Sequence, residues 1–221
     1  MLFRSTLKSG LYAITDGHLT PGDTLIAAVE AALEGGAVLV QYREKHLPAA
    51  EQLRQASALQ SACSNAGVPL LINDNVELAL RVQAAGVHLG QGDTTLTDAQ
   101  HLLGEQAIIG ITCHADLALA QVAYEQGASY LAFGRFYPST TKPDAPAADT
   151  QVLGLAKKFK LPVTAIGGIA LGNAEPLIRA GADLLAVAGG LFSTDINATA
   201  KRSREFSRLF AQHRFQFSQN T

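Results

Sequence analysis

Short apolar runs and longer amphipathic stretches alternate eight times along the chain. The runs are continuous rather than alternating apolar and polar, which is typical of strands that are buried on both faces. They predict eight strands: Leu11–Thr15, Val38–Tyr42, Leu70–Ile72, Val87–Leu89, Ile108–Ile111, Tyr130–Phe133, Val163–Ile166 and Leu184–Val187. The stretches between and after them predict eight helices: Asp23–Glu34, Ala49–Ala66, Val76–Ala84, Thr97–Leu103, Ala115–Gln126, Thr150–Lys158, Asn173–Ala180 and Ile196–Gln212.

Glycine closes four of the predicted helices, and the next strand begins almost at once. These glycines are Gly35, Gly86, Gly127 and Gly181. Glycine supplies the left-handed conformation that commonly ends a helix. Strands and helices joined this tightly predict an all-parallel sheet covered by helices. Eight such units in 221 residues favour a closed (βα)8 barrel, or TIM barrel, formed by residues 1–221 as one α/β domain.

Two aspartates follow neighbouring predicted strands in the stretch 70–93. Asp74 comes just after the third strand and Asp93 just after the fourth. Because a helix joins these strands in parallel, their C-terminal ends meet at one edge, and we expect the two carboxylates side by side. Oxygen ligands with no nearby Cys or His cluster suit Mg²⁺ better than Zn²⁺. The alternative is that each aspartate is the N-cap of the next helix.

The second predicted strand runs into a polar segment, Gln41-Tyr42-Arg43-Glu44-Lys45. Alternation along an extended chain places Gln41, Arg43 and Lys45 on one side. An amide and two cations on one side suit an anionic, hydrogen-bonding ligand such as a diphosphate. The alternative is a solvated charged turn in which Arg43 and Glu44 are simply neighbours.

Thr112, Cys113 and His114 follow the fifth strand. Thr112 would either donate a hydrogen bond to a ligand or cap the next helix, and both interpretations stay open. Cys113 is expected to be a small filler, because no base stands beside it in the sequence. His114 is the candidate for acid–base chemistry, with a surface or capping role as the alternative. His88, within a strand, is expected to be a hydrogen-bonded core residue.

A long segment, 134–149, separates the sixth strand from the next helix. Loops of this length in a compact barrel are commonly lids or binding loops, so we predict a mobile active-site loop. Its cluster Ser139-Thr140-Thr141-Lys142 supplies hydroxyls and an ammonium group, which suit a phosphate.

Paired glycines follow the last two strands, at Gly167-Gly168 and Gly189-Gly190. Small residues at these two positions allow backbone N–H groups to approach a phosphate. A short helix beginning at Gly190 would point its N-terminus to the same place.

Composition and charge narrow the classes of partner. Hydrophobic residues make up 48% and charged residues 16%, and the net charge of −2 gives no general attraction to nucleic acid or membranes. No run reaches the ~18 apolar residues of a membrane span. Cys63 and Cys113 are isolated, as in reduced cytosolic proteins. We expect a cytoplasmic protein that acts on small molecules, and a homo-oligomer is compatible with the sequence.

Six segments resemble the thiamine-phosphate synthase family, in that family's order: QYREK, LINDN, GVHLGQGD, FGRFYPSTTKPDAP, AIGGI and GADLLAVAGGLF. The resemblance extends from Leu11 to about Phe192, and the set is specific although each piece alone is not. It implies a barrel enzyme, a transferase of thiamine biosynthesis. Such an enzyme joins 4-amino-2-methyl-5-hydroxymethylpyrimidine diphosphate to 4-methyl-5-hydroxyethylthiazole phosphate. Pyrophosphate leaves with the help of Mg²⁺, and the thiazole captures the pyrimidine cation.

The resemblance also implies a role for each matching residue. The pyrimidine diphosphate would be held by Gln41, Arg43, Lys45, Asn73, Thr112 and Lys142. The catalytic cations would be Arg43, Lys45 and Lys142, and the Mg²⁺ ligands Asp74 and Asp93. The thiazole phosphate would be held by Ser139, Thr140, Thr141, Gly168, Ala188 and Gly189.

Three places depart from the family pattern. Ser139 replaces a common Thr and keeps the hydroxyl, and Arg135-Phe136 replaces Pro and an aliphatic residue. Ala188-Gly189 replaces a pair that is often aliphatic-Ser, which leaves backbone N–H contacts to the phosphate.

Two rival functions are compatible with a phosphate-binding barrel. A thiazole tautomerase would need a general base, for which His114 is the candidate, and no metal. A non-catalytic sensor of a phosphorylated ligand would leave the acid pair and Lys142 without a task. The trio Gln41, Arg43 and Lys45, together with both aspartates, favours the synthase.

Overall fold

Eight parallel strands close into a barrel in which neighbours in the chain are neighbours in the sheet and the last strand pairs with the first. The computed structural model describes residues 7–138 and 147–218, with side chains as far as His213. The strands are β1 (Gly10–Ile14), β2 (Leu39–Tyr42), β3 (Leu70–Asn73), β4 (Gly86–Leu89), β5 (Ile108–His114), β6 (Tyr130–Phe133), β7 (Val163–Ile166) and β8 (Leu184–Val187). The predicted (βα)8 barrel is confirmed.

A helix follows every strand and covers the outside of the barrel. The helices are α1 (Thr24–Glu34), α2 (Ala49–Ala66), α3 (Val76–Val82), α4 (Leu96–Leu103), α5 (Leu117–Glu125), α6 (Gln151–Ala156), α7 (Leu171–Arg179) and α8 (Ile196–Ser218). A 3-10 turn at Lys157–Phe159 extends α6. In the described part of the chain, none of these helices combines the length and the apolar character needed to cross a membrane.

Alternation along the strands divides the core into two layers. Inward-facing side chains such as Tyr12, Leu39 and Leu71 fill the lumen of the barrel. Outward-facing side chains such as Leu11 and Val40 pack against the helices. At the end of β2 the same alternation turns Gln41 into the lumen, where it reaches Tyr12. Which side chains meet at the mouth of the barrel is therefore set by strand register.

Tyr130 fills the middle of the lumen because Gly110 leaves room for it. The two residues are register partners of β6 and β5, and a Cβ on Gly110 would collide with the Tyr130 ring. The ring packs edge-on against Tyr12, with centroids 5.9 Å apart, and stacks on His88 at 5.7 Å. The absence of one side chain thus admits a large one whose hydroxyl reaches across the lumen to Tyr12 on β1 and His88 on β4.

The long loop after β6 is described only at its two ends. At its start, Phe136 N donates to Ile166 O (3.2 Å) and Tyr137 N donates to Gly167 O (3.1 Å), so the chain runs along the end of β7. At its other end, Ala148 N donates to Arg135 O (2.8 Å), which holds the two ends together. Residues 139–146, on which the predicted mobility mainly depends, lie outside the described residues.

Candidate active site

Asp74 and Asp93 lie side by side where β3 and β4 end, as predicted from the sequence. Asp74 directly follows β3 in the left-handed conformation, with φ 60°. Its carboxyl group is within hydrogen-bonding reach of the Asp93 carboxyl group. Burial, and then the hydrogen bond and charge of Asp93, raise the pKa of Asp74, while Lys45 opposes that rise. Two acidic groups are thus close together, at a cost to the ionisation of Asp74.

Neither aspartate caps a helix, so that alternative is wrong for both. The N-caps of α3 and α4 are Asn75 and Thr95. Each side chain accepts a hydrogen bond from the backbone N–H three residues later, at 2.8 and 3.1 Å. Asp93 Oδ2 instead accepts from Gly90 N (2.7 Å) within its own loop. Local helix formation therefore leaves the two carboxylates available for another task.

Two nitrogen donors contact the carboxylate of Asp74. Lys45 Nζ is 3.2 Å from Asp74 Oδ2, and Asn73 Nδ2 donates to the same oxygen at 2.6 Å. The Lys45 side chain is 48% exposed, so little packing prevents it from turning to a ligand. The structure thus brings together four of the predicted site residues, Lys45, Asn73, Asp74 and Asp93.

Gln41 and Arg43, the other two members of the predicted trio, have separate surroundings. Thr15 Oγ1 accepts from Arg43 N (2.9 Å) and donates to Arg43 O (3.3 Å), which fixes the backbone of Arg43 beside the end of β1. A cavity of about 120 Å³ opens there, lined by Arg43 among others. Gln41 is buried in the lumen. The described contacts of the three residues therefore differ: Gln41 contacts Tyr12, the Arg43 backbone contacts Thr15 and Lys45 contacts Asp74.

Thr112 belongs to a buried chain of hydrogen bonds that crosses the lumen. Its Oγ1 lies 2.9 Å from His88 Nε2, and His88 Nδ1 lies 2.8 Å from the Tyr130 hydroxyl. The Tyr130 hydroxyl is 2.8 Å from that of Tyr12, which accepts a hydrogen bond from Gln41 Nε2. Two predicted pyrimidine contacts, on β2 and β5, are therefore connected through the barrel.

The remaining groups at the end of β5 have simpler roles. Asp116, not Thr112, caps α5, so the capping alternative for Thr112 is wrong. Cys113 is fully buried and burial raises the pKa of its thiol to about 12, which confirms it as a filler. His114 ends β5 in the left-handed conformation, with φ 52°, and its side chain is exposed.

The loops that follow β7 and β8 pack against one another. A Cβ on Gly190 would collide with Ile169 O, so the two loops are in contact there. Gly189 has open space around it, since its Cβ would meet only Leu19 Cδ1 at 4.0 Å. Among the described residues, the N–H groups of Gly168, Gly189 and Gly190 find no acceptor. Backbone N–H groups without an acceptor form a suitable site for an anion.

A helix beginning at Gly190 was expected, and that expectation is wrong. Leu191 N and Phe192 N both donate to Ala188 O at 2.9 Å, which closes a turn instead. Gly190 lies in this turn, where it packs against Ile169.

The predicted residues Ser139, Thr140, Thr141 and Lys142 lie outside the described residues. Pro138, the last described residue before them, lies against Gly168, whose Cβ would collide with Pro138 O. The chain therefore enters this segment beside the glycine pair of β7.

Comparison with known proteins decides the family. The family model described as thiamine monophosphate synthase matches residues 11–191, which span the whole barrel from β1 to the turn after β8. The chain belongs to the thiamine monophosphate synthase family. It is therefore an enzyme, a transferase, as the sequence resemblance implied.

Individual members of the thiamine monophosphate synthase family are similar over nearly the whole length. The thiamine-phosphate synthase of Marinobacter nauticus is 62% identical over 215 residues, which cover 97% of each chain. A solved thiamine phosphate pyrophosphorylase from Pyrococcus furiosus is 31% identical and superposes with a TM-score of 0.82, covering 95% of this chain and 98% of that one. A structure described as native KDPGal, at 20% identity and a TM-score of 0.71, shares the fold alone; it covers 91% of this chain and 94% of that one.

The sequence did not reveal the hydrogen bonds inside the lumen of this thiamine monophosphate synthase family member. His88 was expected to be a hydrogen-bonded core residue, which is confirmed, but its link to Thr112 was not foreseen. The available signal was the presence of polar-tipped Tyr12, His88 and Tyr130 inside otherwise apolar strands.

Proposed function

We propose that this family member is a thiamine-phosphate synthase. It would condense the aminopyrimidine diphosphate with the thiazole phosphate, giving thiamine phosphate and pyrophosphate. The observation that carries the proposal is the cluster of Asp74, Asp93 and Lys45 at the same mouth as the open N–H groups of Gly168 and Gly189. One end of the mouth suits a metal-bound diphosphate and the other a phosphate monoester.

The carboxylate pair fits Mg²⁺. Burial and the neighbouring Asp93 disfavour the charged form of Asp74, and a divalent cation would relieve both effects. Among the described residues no cluster of three or more His, Cys, Asp or Glu side chains offers itself to a metal. Two carboxylates suffice for Mg²⁺, which is usually completed by water and substrate phosphates. Bound there, the ion would neutralise negative charge on the leaving diphosphate.

Cationic side chains would stabilise the same developing charge. Lys45 is exposed and, among the described residues, its ion pair is with Asp74, so a turn of its side chain would bring it to a diphosphate oxygen. Arg43 is fixed at its backbone by Thr15 and would contribute a charge that is always present. Lys142 of the loop would add a third. No nucleophilic side chain is required, because the electron-rich aminopyrimidine ring stabilises the cation that departure of the diphosphate leaves.

The thiazole phosphate would be held by the glycine loops. The N–H groups of Gly168, Gly189 and Gly190, which have no acceptor among the described residues, would donate to its oxygens, and Ser139, Thr140 and Thr141 would add hydroxyls. Because both substrates would be held in one complex, the thiazole nitrogen would meet the pyrimidine cation in an effectively unimolecular step. The buried, protonated thiols of Cys63 and Cys113 are in keeping with a cytoplasmic location.

The thiazole tautomerase alternative has less support. Its base would be His114, whose side chain is exposed and has no orienting hydrogen bond from the described part of the chain. A general base is normally held in place by such a partner. The carboxylate pair would also have no task in that reaction.

One assay tests the proposed function. Purified protein is given both substrates, with Mg²⁺ and with an excess of a chelator, and thiamine phosphate and pyrophosphate are measured. We expect both products in equal amounts and only with Mg²⁺. Thiazole isomerisation without condensation, or condensation that ignores the chelator, would contradict the proposal.

A further inference from the structure

The hydrogen-bond chain in the lumen connects two groups that the proposed function assigns to the pyrimidine. Gln41 stands at one end and Thr112 at the other, with Tyr12, Tyr130 and His88 between them. Four of these residues are buried, at 0 to 7% exposure: Gln41, Tyr12, Tyr130 and His88. A hydrogen in such a chain must have an acceptor, because an unpaired buried donor is costly.

The Gln41 amide sets the direction of the first two bonds. Its Nε2, which can only donate, faces the Tyr12 hydroxyl. The Tyr12 oxygen therefore accepts, and its hydrogen finds an acceptor in the Tyr130 oxygen at 2.8 Å. Burial raises the pKa of both phenols, so both keep their hydrogens. The Tyr130 hydrogen is then directed to His88 Nδ1.

The same direction continues through His88 to the mouth of the barrel. An imidazole that accepts at Nδ1 carries its hydrogen on Nε2 when neutral. Nε2 therefore donates to Thr112 Oγ1, 2.9 Å away. Because this Thr112 oxygen already accepts, its own hydrogen remains for a ligand. At the other end, Gln41 Oε1 remains as an acceptor, since Nε2 is engaged with Tyr12.

We propose that Tyr12, Tyr130 and His88 are positioning residues that present Gln41 as an acceptor and Thr112 as a donor to the aminopyrimidine. This rests on the proposed function. The substrate ring carries the complementary groups, an exocyclic amine that donates and ring nitrogens that accept. Reversal of any one bond would reverse all the others, so the two ends are coupled. The site then offers one acceptor and one donor at fixed places.

The first test reads the tautomer of His88 directly. Long-range proton–nitrogen correlation spectra of histidine-labelled protein without substrate distinguish Nε2–H from Nδ1–H, and the His88 signals are identified by their loss in His88→Gln. We expect Nε2–H. A His88 ring that carries its hydrogen on Nδ1 alone, or on both nitrogens at neutral pH, overturns the proposed direction. This result depends neither on activity nor on a variant that must be active.

The second test interrupts the chain at its centre. Tyr130→Phe keeps the ring that packs against Gly110 but removes the hydroxyl that joins Tyr12 to His88. We expect the KM for pyrimidine diphosphate to rise about tenfold, the size of one lost hydrogen bond, and the KM for thiazole phosphate to change less than about twofold. The His88 spectrum should change as well. An unchanged pyrimidine KM overturns the proposal, whatever the melting temperature of the variant.

Tyr42→Phe is the matched control. Tyr42 is also buried and also loses one phenolic hydrogen bond, to Gln55 Oε1 at 2.9 Å, but it faces away from the lumen. It should lose similar stability with no change in either KM. A change in the pyrimidine KM equal to that of Tyr130→Phe would show a merely structural effect and overturn the proposal.

The results also distinguish this proposal from the proposed function. Lack of product from the wild-type protein would contradict the proposed function, whereas Nδ1–H at His88 would contradict only the proposed direction of the hydrogen bonds. If Tyr130→Phe does not fold, the wild-type spectrum decides.

Discussion

Lys45 Nζ lies 3.2 Å from Asp74 Oδ2. A cation that is expected to hold the diphosphate is thus paired with a carboxylate that is expected to hold the metal. Burial and Asp93 raise the pKa of Asp74, and the pairing with Lys45 offsets part of that rise. Arrival of a metal-bound diphosphate would replace this contact by two others, one to each partner.

Replacement of either aspartate by asparagine separates metal binding from folding. Asp74→Asn and Asp93→Asn should keep the melting temperature, because neither residue caps a helix. Each should lose most of the Mg²⁺-dependent turnover and regain part of it at high Mg²⁺, since asparagine is a neutral, weaker ligand. Turnover as a function of Mg²⁺ concentration measures this.

Thr95→Ala serves as the control for the aspartate variants. Thr95 is in the same loop as Asp93 and does cap α4. Its loss should cost about 1 kcal/mol in the free energy of unfolding and leave the activity per folded molecule unchanged. Full activity of both asparagine variants at low Mg²⁺ would refute the metal site.

Lys142→Ala should affect turnover more than binding of the thiazole phosphate. If the ammonium group meets the leaving diphosphate, kcat should fall roughly tenfold or more, the scale of a charge-assisted contact of about 1.5–3 kcal/mol. Lys201→Ala, an exposed change on α8, should leave kcat as it is. A raised thiazole KM with normal kcat would assign Lys142 to the other substrate.

Gly189→Val should selectively weaken binding of the thiazole phosphate. A Cβ on Gly189 would meet only Leu19 Cδ1, at 4.0 Å, so there is room for a side chain to enter the proposed phosphate site. Gly154→Val on α6, where a Cβ meets only Ala180 O at 3.5 Å, is the control for a general effect on folding. Calorimetric titration with thiazole phosphate compares the two folded variants. Normal affinity in Gly189→Val would remove this loop from the phosphate site.

Both thiols should be unreactive in the folded protein. Burial raises the pKa of Cys63 and of Cys113 from 9.0 to about 12, so the thiolate needed for reaction is scarce. Since the folded-state values are raised, the thiols contribute stability below pH 9 that is lost as the pH rises from about 9 to 12. A thiol reagent at pH 8 should label neither cysteine before denaturation and both afterwards. Rapid labelling of the native protein would contradict the burial of either one.

The barrel could be predicted because its strands are buried on both faces. Such strands appear as apolar runs, and the glycines after the helices mark where each strand begins. The end of β5 was less predictable, since the strand continues to His114 through Thr112 and Cys113, after the apolar run has ended at Ile111. The turn after Ala188 was missed because its shape depends on contact with Ile169, a neighbour in space.

The carboxylate pair could be predicted from strand order alone, but its freedom from capping could not. Asp74 is followed by Asn75, and either side chain could cap α3. The left-handed backbone at Asp74 leaves the role to Asn75. The series of hydrogen bonds that links Gln41 to Thr112 across the lumen could not be predicted, because it requires the registers of several strands to be known together.

Gly110 and Tyr130 share one volume inside the barrel, so these two positions should not vary independently. A relative with a larger residue at 110 would have to carry a smaller one at 130, and would lose the phenol with it. The pair can therefore be sought as a covarying unit in related sequences. Anyone transplanting this site into another barrel would have to transfer the glycine together with the tyrosine.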